Sequence, residues 1–315
     1  MVRLKSRVLI ISVIFALCLP SFAASGAEWA DFQDFLIRKI PPRPYWAMAG
    51  SEFAKYIFKM DKTQRERAIL DQLSEGNLPD FLRKLIPLHL NHMLKDGQVI
   101  TATLFSMPDY LAIGSNRDFM RIPMNFYTAV EIADKFGFIL PTTKIVDALF
   151  KQSAFHLRPE PMPSGPRMRS TACYLEHDQK IQKQRLALSC PLGALISGHK
   201  KDIVITGRLA QQQGKIAIYG WQRPSGAPIQ PLCTIHSASY ADYSHGVRLI
   251  SELVLLNGKA TSIYAILEDP GLAGVLSDEG AIPKVRQFMT RYLRRPLQPV
   301  ENSSPLENSY PSIKH

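Results

Sequence analysis

Between residues 28 and 76, apolar residues recur three and four positions apart. That spacing predicts three helices, EWADFQDFLIRKI (28–40), SEFAKYIFKM (51–60) and DKTQRERAILDQLSEG (61–76). Asp61 ahead of the third and Gly76 behind it read as cap and stop. The pattern breaks after LPDFLRKLI. DGQVITATLFSM, DYLAIGS and FMRIPM are short, apolar and entered from turns, so strands are expected there. Helical spacing returns in FYTAVEIADKFG (126–137) and TTKIVDALFKQSA (142–154). HLRPEPMPSGPRMRS (156–170) carries four prolines and a glycine and reads as an extended loop, either a boundary or a surface strap.

A helix is expected at YLEHDQKIQKQRLAL. Beyond it KDIVITG (201–207), KIAIYGWQ (215–222) and GVRLISELVLLNGKATSI (246–263) read as strands, the last with an Asn257-Gly258 hairpin turn. YAILEDPGLAGVL returns to helix, and IPKVRQFMTRYLRR (282–295) looks like a helix with a solvated basic face. Together these elements predict an α+β fold, with N-terminal helices followed by a mixed α/β, sheet-rich half. The expected organisation is a helical segment at 28–95, a main domain at 96–295 and a disordered Pro/Ser/Asn-rich tail at 296–315.

The first 27 residues change where the protein is expected to work. Arg3, Lys5 and Arg7 precede an apolar run from Val8 to Leu19, and small residues follow, which is the layout of a secretory signal peptide cut after Ala23 or Ala27. The run is short for a membrane span of about 20 residues. An uncleaved anchor is the alternative. Cys18 lacks the small residue that precedes a lipoprotein cysteine. Residues 1–27 hold three basic groups and no acid, so their removal takes the formal net charge from +11 to +8. An exported basic chain is expected to meet an anionic cell-envelope polymer or surface. Export and the lack of an RNA- or DNA-binding module argue against nucleic acid.

Cys173, Cys190 and Cys233 remain after processing. In an oxidising compartment Cys173–Cys190 is the expected disulfide, leaving one thiol over. Cys190 has a second reading: SCPLGAL could start a helix whose dipole lowers the thiol pKa, with His236 and His245 downstream.

Two motifs concentrate chemistry. GHKKD places His199 and Asp202 three apart with Lys200 and Lys201 between them, and YADYSHG does the same with Asp242 and His245, with His236 upstream. A carboxylate at that distance can orient an imidazole and raise its basicity, as general acid–base catalysis needs. If the motifs meet, the candidate catalytic residues are His199, Asp202, His236, Asp242 and His245, with Lys200, Tyr240 and Trp221 placed to bind substrate. A divalent metal such as zinc could take His199, His236, Asp242 and His245 and activate a water. There is no H-E-x-x-H. HSASYAD also departs in spacing and glycine from the S-x-H-x-x-G-x-A-x-D pattern of D-Ala-D-Ala peptidases. No G-x-S-x-G surrounds Ser244.

The competing reading is structural. An Asp-x-x-His pair is often a turn whose Asp caps backbone N–H groups. Glu268-Asp269 and Asp278-Glu279 could be a glycosidase acid and base, but adjacent acids more often mark a turn or helix end. His89 and His92, spaced for one helical face, have no acidic companion. Trp221 and Tyr219 could stack on a sugar or simply pack across a hairpin.

LPTTKIVDALF, GHKKDIVIT, IAIYGWQRPSGAPIQPL, YADYSHGVRL and LSDEG together resemble a family of secreted bacterial proteins over roughly residues 105–282. The resemblance implies export and brings no activity, cofactor or fold. The leading expectation is an exported hydrolase of peptidoglycan or an envelope polysaccharide acting through a His/Asp site. The alternative is a non-catalytic envelope-binding or scaffolding protein. A small-molecule binding protein is a third class.

Overall fold

The computed structural model describes residues 26–293. The expected signal peptide at 1–27 lies outside the described residues but for its last two positions, and the tail at 296–315 lies wholly outside them. Three helices open the chain: α1 (Gly26–Ile37), α2 (Gly50–Tyr56) and α3 (Lys62–Ser74). Asp61 caps α3 as expected, accepting from the amides of Thr63 and Gln64 at 2.7 and 2.9 Å, while Gln64 Oε1 accepts from the Asp61 amide at 3.1 Å. Gly76 follows with φ +82, the left-handed geometry that ends such a helix.

The helical segment stops short of residue 95. Ile86–Met93 forms β1, which pairs antiparallel with β2 (Val99–Ser106). Leu88 and Leu90 are buried while His89 and Asn91 face solvent, a period of two that the 89/92 spacing conceals. His89 and His92 therefore sit on a strand and not on one helical face. β2 is the hub of a six-stranded sheet ordered β14-β13-β2-β12-β5 with β1 on its other side, where β5 is Phe138–Ile139, β12 Ile250–Ser251, β13 Leu253–Leu256 and β14 Lys259–Ser262. The β13–β14 turn has Asn257 at φ +48 and Gly258 at φ +78, the paired positive angles its sequence called for.

A short hairpin, β3 (Ala112–Gly114) and β4 (Phe119–Arg121), leads into α4 (Phe126–Phe136). α5 (Thr143–Gln152) follows, and then β6 (Phe155–His156). Asn125 and Thr142 cap the two helices through Thr128 and Ile145 amides. The proline-rich stretch is a strap and not a boundary: its own Leu157, Met162 and Met168 side chains are buried in the protein. It delivers the chain to α6 (Thr171–Ala187), whose buried face is Cys173, Tyr174, His177, Asp178 and Ile181. β7 (Ile196–Ser197) pairs with β6.

The second sheet has the order β10-β9-β8-β11, formed by β8 (Lys201–Ile203), β9 (Ile218–Gln222), β10 (Pro228–Cys233) and β11 (His245–Gly246). Helices α7 (Ile263–Glu268) and α8 (Val285–Leu293) close the described chain. α8 buries Val285, Phe288, Met289 and Tyr292 and leaves Arg286 and Arg291 in solvent, the basic face expected of it. One continuous apolar core joins residues from Leu36 to Tyr292, so the N-terminal helices share a core with both sheets. The fold is α+β. Among the described residues no helix is long and apolar enough to cross a membrane.

All three cysteines of this region are free thiols. Cys173 lies near the start of α6 and Cys190 beyond its end, so roughly 20 Å of helix separates them. Disulfide-bonded Cα atoms lie within about 7 Å of each other, which the expected Cys173–Cys190 bridge cannot meet.

Candidate functional site

GHKKD and YADYSHG meet. β8 and β11 pair in parallel, with His245 opposite Lys201 and Gly246 opposite Asp202, and the Lys201 amide donates to the Ser244 carbonyl at 2.7 Å. Gly246 makes that approach possible: a Cβ there would lie 2.6 Å from the Tyr110 ring and 2.8 Å from Lys200 Cβ. On its other side β8 pairs antiparallel with β9, with Lys201 opposite Gly220. The strap crosses the same region, because the Met162 amide donates to the Tyr243 hydroxyl at 2.7 Å and the Tyr243 amide to the Met168 carbonyl at 3.0 Å.

The meeting residues divide into an outer and an inner group. In the outer group, Asp242 Oδ1 accepts from the Ser244 amide at 2.8 Å and from Ser244 Oγ at 2.6 Å, and Oδ2 accepts from the Tyr240 hydroxyl at 3.0 Å. His245 Nε2 lies 4.0 Å from Asp242 Oδ2, and neither ring nitrogen of His245 has a hydrogen-bond partner. His236 stacks on Tyr240 at 4.3 Å and 10°, and the Tyr240 ring lies edge-on to His245 at 5.6 Å. His236, Tyr240 and Lys201 are partly exposed, whereas Asp242 and His245 are buried below them. Burial pushes His245 down to about 4 against the pull of Asp242, so its imidazole is neutral at neutral pH. Burial opposes ionisation of Asp242, but His245, Lys201 and the Ser244 hydrogen bonds outweigh it and hold the carboxyl below its ordinary value.

The inner group is a charged network with almost no solvent contact. Arg121 bridges Asp109 at 2.6 Å and Asp178 at 3.2 Å, and Asp109 Oδ1 lies 3.2 Å from His199 Nε2. Lys200 Nζ lies 3.1 Å from His177 Nδ1 and donates to the Tyr243 carbonyl at 2.5 Å. The Tyr110 hydroxyl donates to Asp202 Oδ2 at 2.8 Å, with the Arg248 guanidinium 4.4 Å above the Tyr110 ring. Burial alone would raise Asp109, yet Arg121 and His199 hold it well below the carboxylate range. Burial raises Asp178 in spite of the same arginine. It also raises Asp202 to about 7, lowers Lys200 to about 8 and lowers His199 to about 4. Unpartnered buried polar atoms gather around both groups: His177 Nε2, Ser197 Oγ, His199 Nδ1, Asp202 Oδ1, Arg248 Nε and both His245 nitrogens.

The structure thus brings His199, Asp202, Asp242 and His245 to the β8–β11 pair, with His236 joined to it through Tyr240, but not into one constellation. His199 belongs with Asp109 and Arg121, Asp202 with Tyr110 and Arg248, and His236, Asp242 and His245 with Tyr240. Among the described residues no three His, Cys, Asp or Glu side chains are arranged to hold a metal ion, so His199, His236, Asp242 and His245 are not a ligand set. Of the expected substrate-binding residues only Tyr240 reaches the surface. Lys200 and Trp221 are buried, the latter at φ +56 with Lys201 Nζ 5.2 Å from its ring. Cys190 follows α6 rather than opening a helix, and burial raises its thiol. The acidic pairs serve local structure: Asp269 accepts from the Gly271 amide, Asp278 pairs with Lys144 at 3.1 Å, and Glu279 accepts from the Thr206 hydroxyl and Gly207 amide.

Lys201, Asp109, Tyr110, Arg121, His177, Asp178 and Arg248 were not among the sequence candidates. For two of them a signal existed. His177 and Asp178 fall at positions 177–178 of a 173/174/177/178/181 face, so two polar residues occupy the stripe a helix reserves for its core. Asp109, Arg121 and Arg248 sit in short loop or strand stretches with no such period. No family model matches the chain, and no curated protein and no solved structure matches it, so the chemistry rests on this geometry.

Proposed function

We propose that the chain is an exported hydrolase of a cell-envelope polymer and that His245 is its proton-transfer group. The observation that carries this reading is His245 itself: a buried, neutral imidazole with both nitrogens unpartnered, beside an ionised Asp242. The large majority of buried side-chain polar atoms have a hydrogen-bond partner, and both ring nitrogens of His245 lack one. Here the neutral imidazole has a lone pair engaged by no protein group, which can take a proton from a water or substrate hydroxyl brought to it. Asp242, 4.0 Å away, stabilises the imidazolium that forms, and Tyr240 and Ser244 hold the carboxylate in place. Lys201, paired opposite His245, offers a positive charge to an oxyanion developing on the attacked group. The partly exposed His236–Tyr240 pair packs against His245, whose side chain has no solvent contact, so in this reading substrate reaches the imidazole only when that pair moves aside. The signal-peptide layout and the basic charge support the envelope as its place of action.

The non-catalytic alternative is favoured by one observation: the Asp109–Arg121–Asp178 network with His199 is closed and fully buried, as a structural knot would be. The test is mass spectrometry of soluble products released from the isolated envelope by the protein, with Asp242→Asn and His245→Gln beside it. The amide introduced by Asp242→Asn keeps an oxygen for the Ser244 hydrogen bonds, so the turn survives. The hydrolase reading expects product release to fall by about 10²–10⁴ in both variants, with the fold intact. Release that persists unchanged in folded variants removes His245 and Asp242 from the reaction. No release from the unaltered protein, with binding proportional to the folded fraction, establishes the scaffold.

A further inference from the structure

Asp242 lies between two backbone carbonyls that are both held by buried side chains from other elements. The carbonyl before it, Ala241, accepts from the Tyr174 hydroxyl at 3.1 Å. The carbonyl after it, Tyr243, accepts from Lys200 Nζ at 2.5 Å. Tyr174 belongs to α6 and Lys200 stands one residue ahead of β8, and neither is more than 1% exposed. The strap adds a third hold on the same turn through the Met168 carbonyl, 3.0 Å from the Tyr243 amide. By contrast, among the described residues the hydrogen bonds to the Asp242 carboxylate come only from Tyr240 and Ser244, inside the turn itself. Where that carboxylate stands in the molecule therefore depends on what fixes the backbone around it.

Each of the two donors is itself held in place. Arg65 Nη2 donates to the Tyr174 hydroxyl at 3.3 Å, its guanidinium lies 4.6 Å over the Tyr174 ring, and its Nη1 donates to Thr171 Oγ1 at 3.2 Å. A hydroxyl that accepts from an arginine has its own proton left to give, and Ala241 receives it. Burial raises the Tyr174 phenol, so that proton stays on. On the other side, Lys200 Nζ lies 3.1 Å from His177 Nδ1. An ammonium carries donors only, so His177 accepts, and burial together with Lys200 keeps that imidazole neutral. Burial lowers Lys200 to about 8 against the support of Asp178 and Asp242, which leaves it charged at neutral pH.

We propose that Tyr174 and Lys200 are positioning residues that clamp the Asp242 turn through its two flanking carbonyls, fixing the carboxylate 4.0 Å from His245 and keeping the imidazole dry. Lys200, expected from its motif to bind substrate, serves the site from beneath instead. Tyr174 lies outside both motifs and reaches the turn across 67 positions. Releasing either carbonyl frees a carboxylate that has no anchor of its own beyond the turn. Misplacing a reacting group by about 1 Å costs on the order of 10²-fold in rate, so a hydrogen bond two residues from the chemistry is felt there. The proposal deepens the reading of His245 and rests on it for the link to product release. The effect of the clamp on His245 itself is measurable without any substrate.

The experiment is an NMR titration of His245 in the histidine-labelled protein, its signal assigned by its absence from His245→Gln, with release from isolated envelope measured beside it. Tyr174→Phe removes one hydroxyl and leaves the ring packed under Arg65, so it carries the test even if Lys200→Met does not fold. In the unaltered protein His245 is expected to titrate near 4. Burial is the largest influence on it, and a loosened turn admits water. Both variants should therefore titrate about one pH unit higher, toward the ordinary histidine value. Release per folded molecule should fall roughly 10–10²-fold through kcat, with KM unchanged because neither side chain touches substrate. An unchanged His245 titration in folded Tyr174→Phe overturns the proposal. So does a loss of release that follows only the folded fraction, or a rise in KM with kcat intact. A shifted titration in a protein that releases nothing even when unaltered upholds the clamp and removes only the hydrolase.

Discussion

Arg121 holds Asp109 and Asp178 at once in a site with almost no solvent contact, and removing it leaves two buried carboxylates with no cation between them. Arg121→Ala is expected to cost about 3–5 kcal/mol in denaturant unfolding, the range for breaking a buried ion pair from one side. His245 makes a different prediction, in pH. Its imidazole must be neutral to accept a proton and is pushed down to about 4. If His245 is the base, product release should rise with pH through about 4 and hold level at neutral pH, well below the range of an unperturbed histidine. A pH–rate profile centred near 6.5 would assign the proton transfer elsewhere.

Among elements, β11 depends on a missing side chain. Gly246→Ala would drive a methyl group into Tyr110 and Lys200 where β11 meets β8. Overpacking of this kind is expected to cost about 1–3 kcal/mol. Because the same pairing aligns Lys201 with His245, product release should fall along with stability. β1 is guarded in another way. Gln152 reaches from the end of α5, accepts from the His89 amide at 3.0 Å and donates to the His89 carbonyl at 2.9 Å, occupying one edge position as a neighbouring strand would. Gln152→Ala should speed hydrogen exchange at the His89 amide and leave the β2-facing amides of β1 protected.

Across the whole molecule, buried groups of opposite type set opposing pH slopes. His199 and His245 are pushed to about 4, so between there and about 6.5 the unfolded chain binds more protons and folding gains stability as pH rises. Asp202 and Glu66 are raised to about 7, so over much of that window the folded chain binds more protons and stability falls as pH rises. The two trends offset each other. Asp202→Asn keeps an acceptor for the Tyr110 hydroxyl and deletes one falling slope. Its stability relative to the unaltered protein should climb between pH 4 and 7, by on the order of a few kcal/mol, and level off above. Thermal melts of both proteins across that range check the sign.

How much was legible follows from how local each signal is. The caps at Asp61, Asn257-Gly258 as a hairpin turn, the solvated face of α8 and the α+β order are written in stretches of a few residues, because backbone hydrogen bonding and side-chain periodicity act over one or two turns. GHKKD and YADYSHG were visible as chemistry for the same reason. β1 was hidden because a three-residue spacing of histidines imitates a helical face when it falls on a strand. The partners of the histidines lay beyond any local pattern. His199 finds Asp109 across 90 positions, Tyr110 finds Asp202 across 92, and Arg121 joins Asp178 across 57. Sequence by itself therefore determined most of the elements and the two motifs rich in titratable side chains. Only the tertiary structure decided that the motifs meet through β8 and β11, that they split into an outer dyad and an inner knot, and that Cys173 and Cys190 stay apart. A charge's partner and a group's burial are properties of distance in space, and folding sets these after local spacing has done its part.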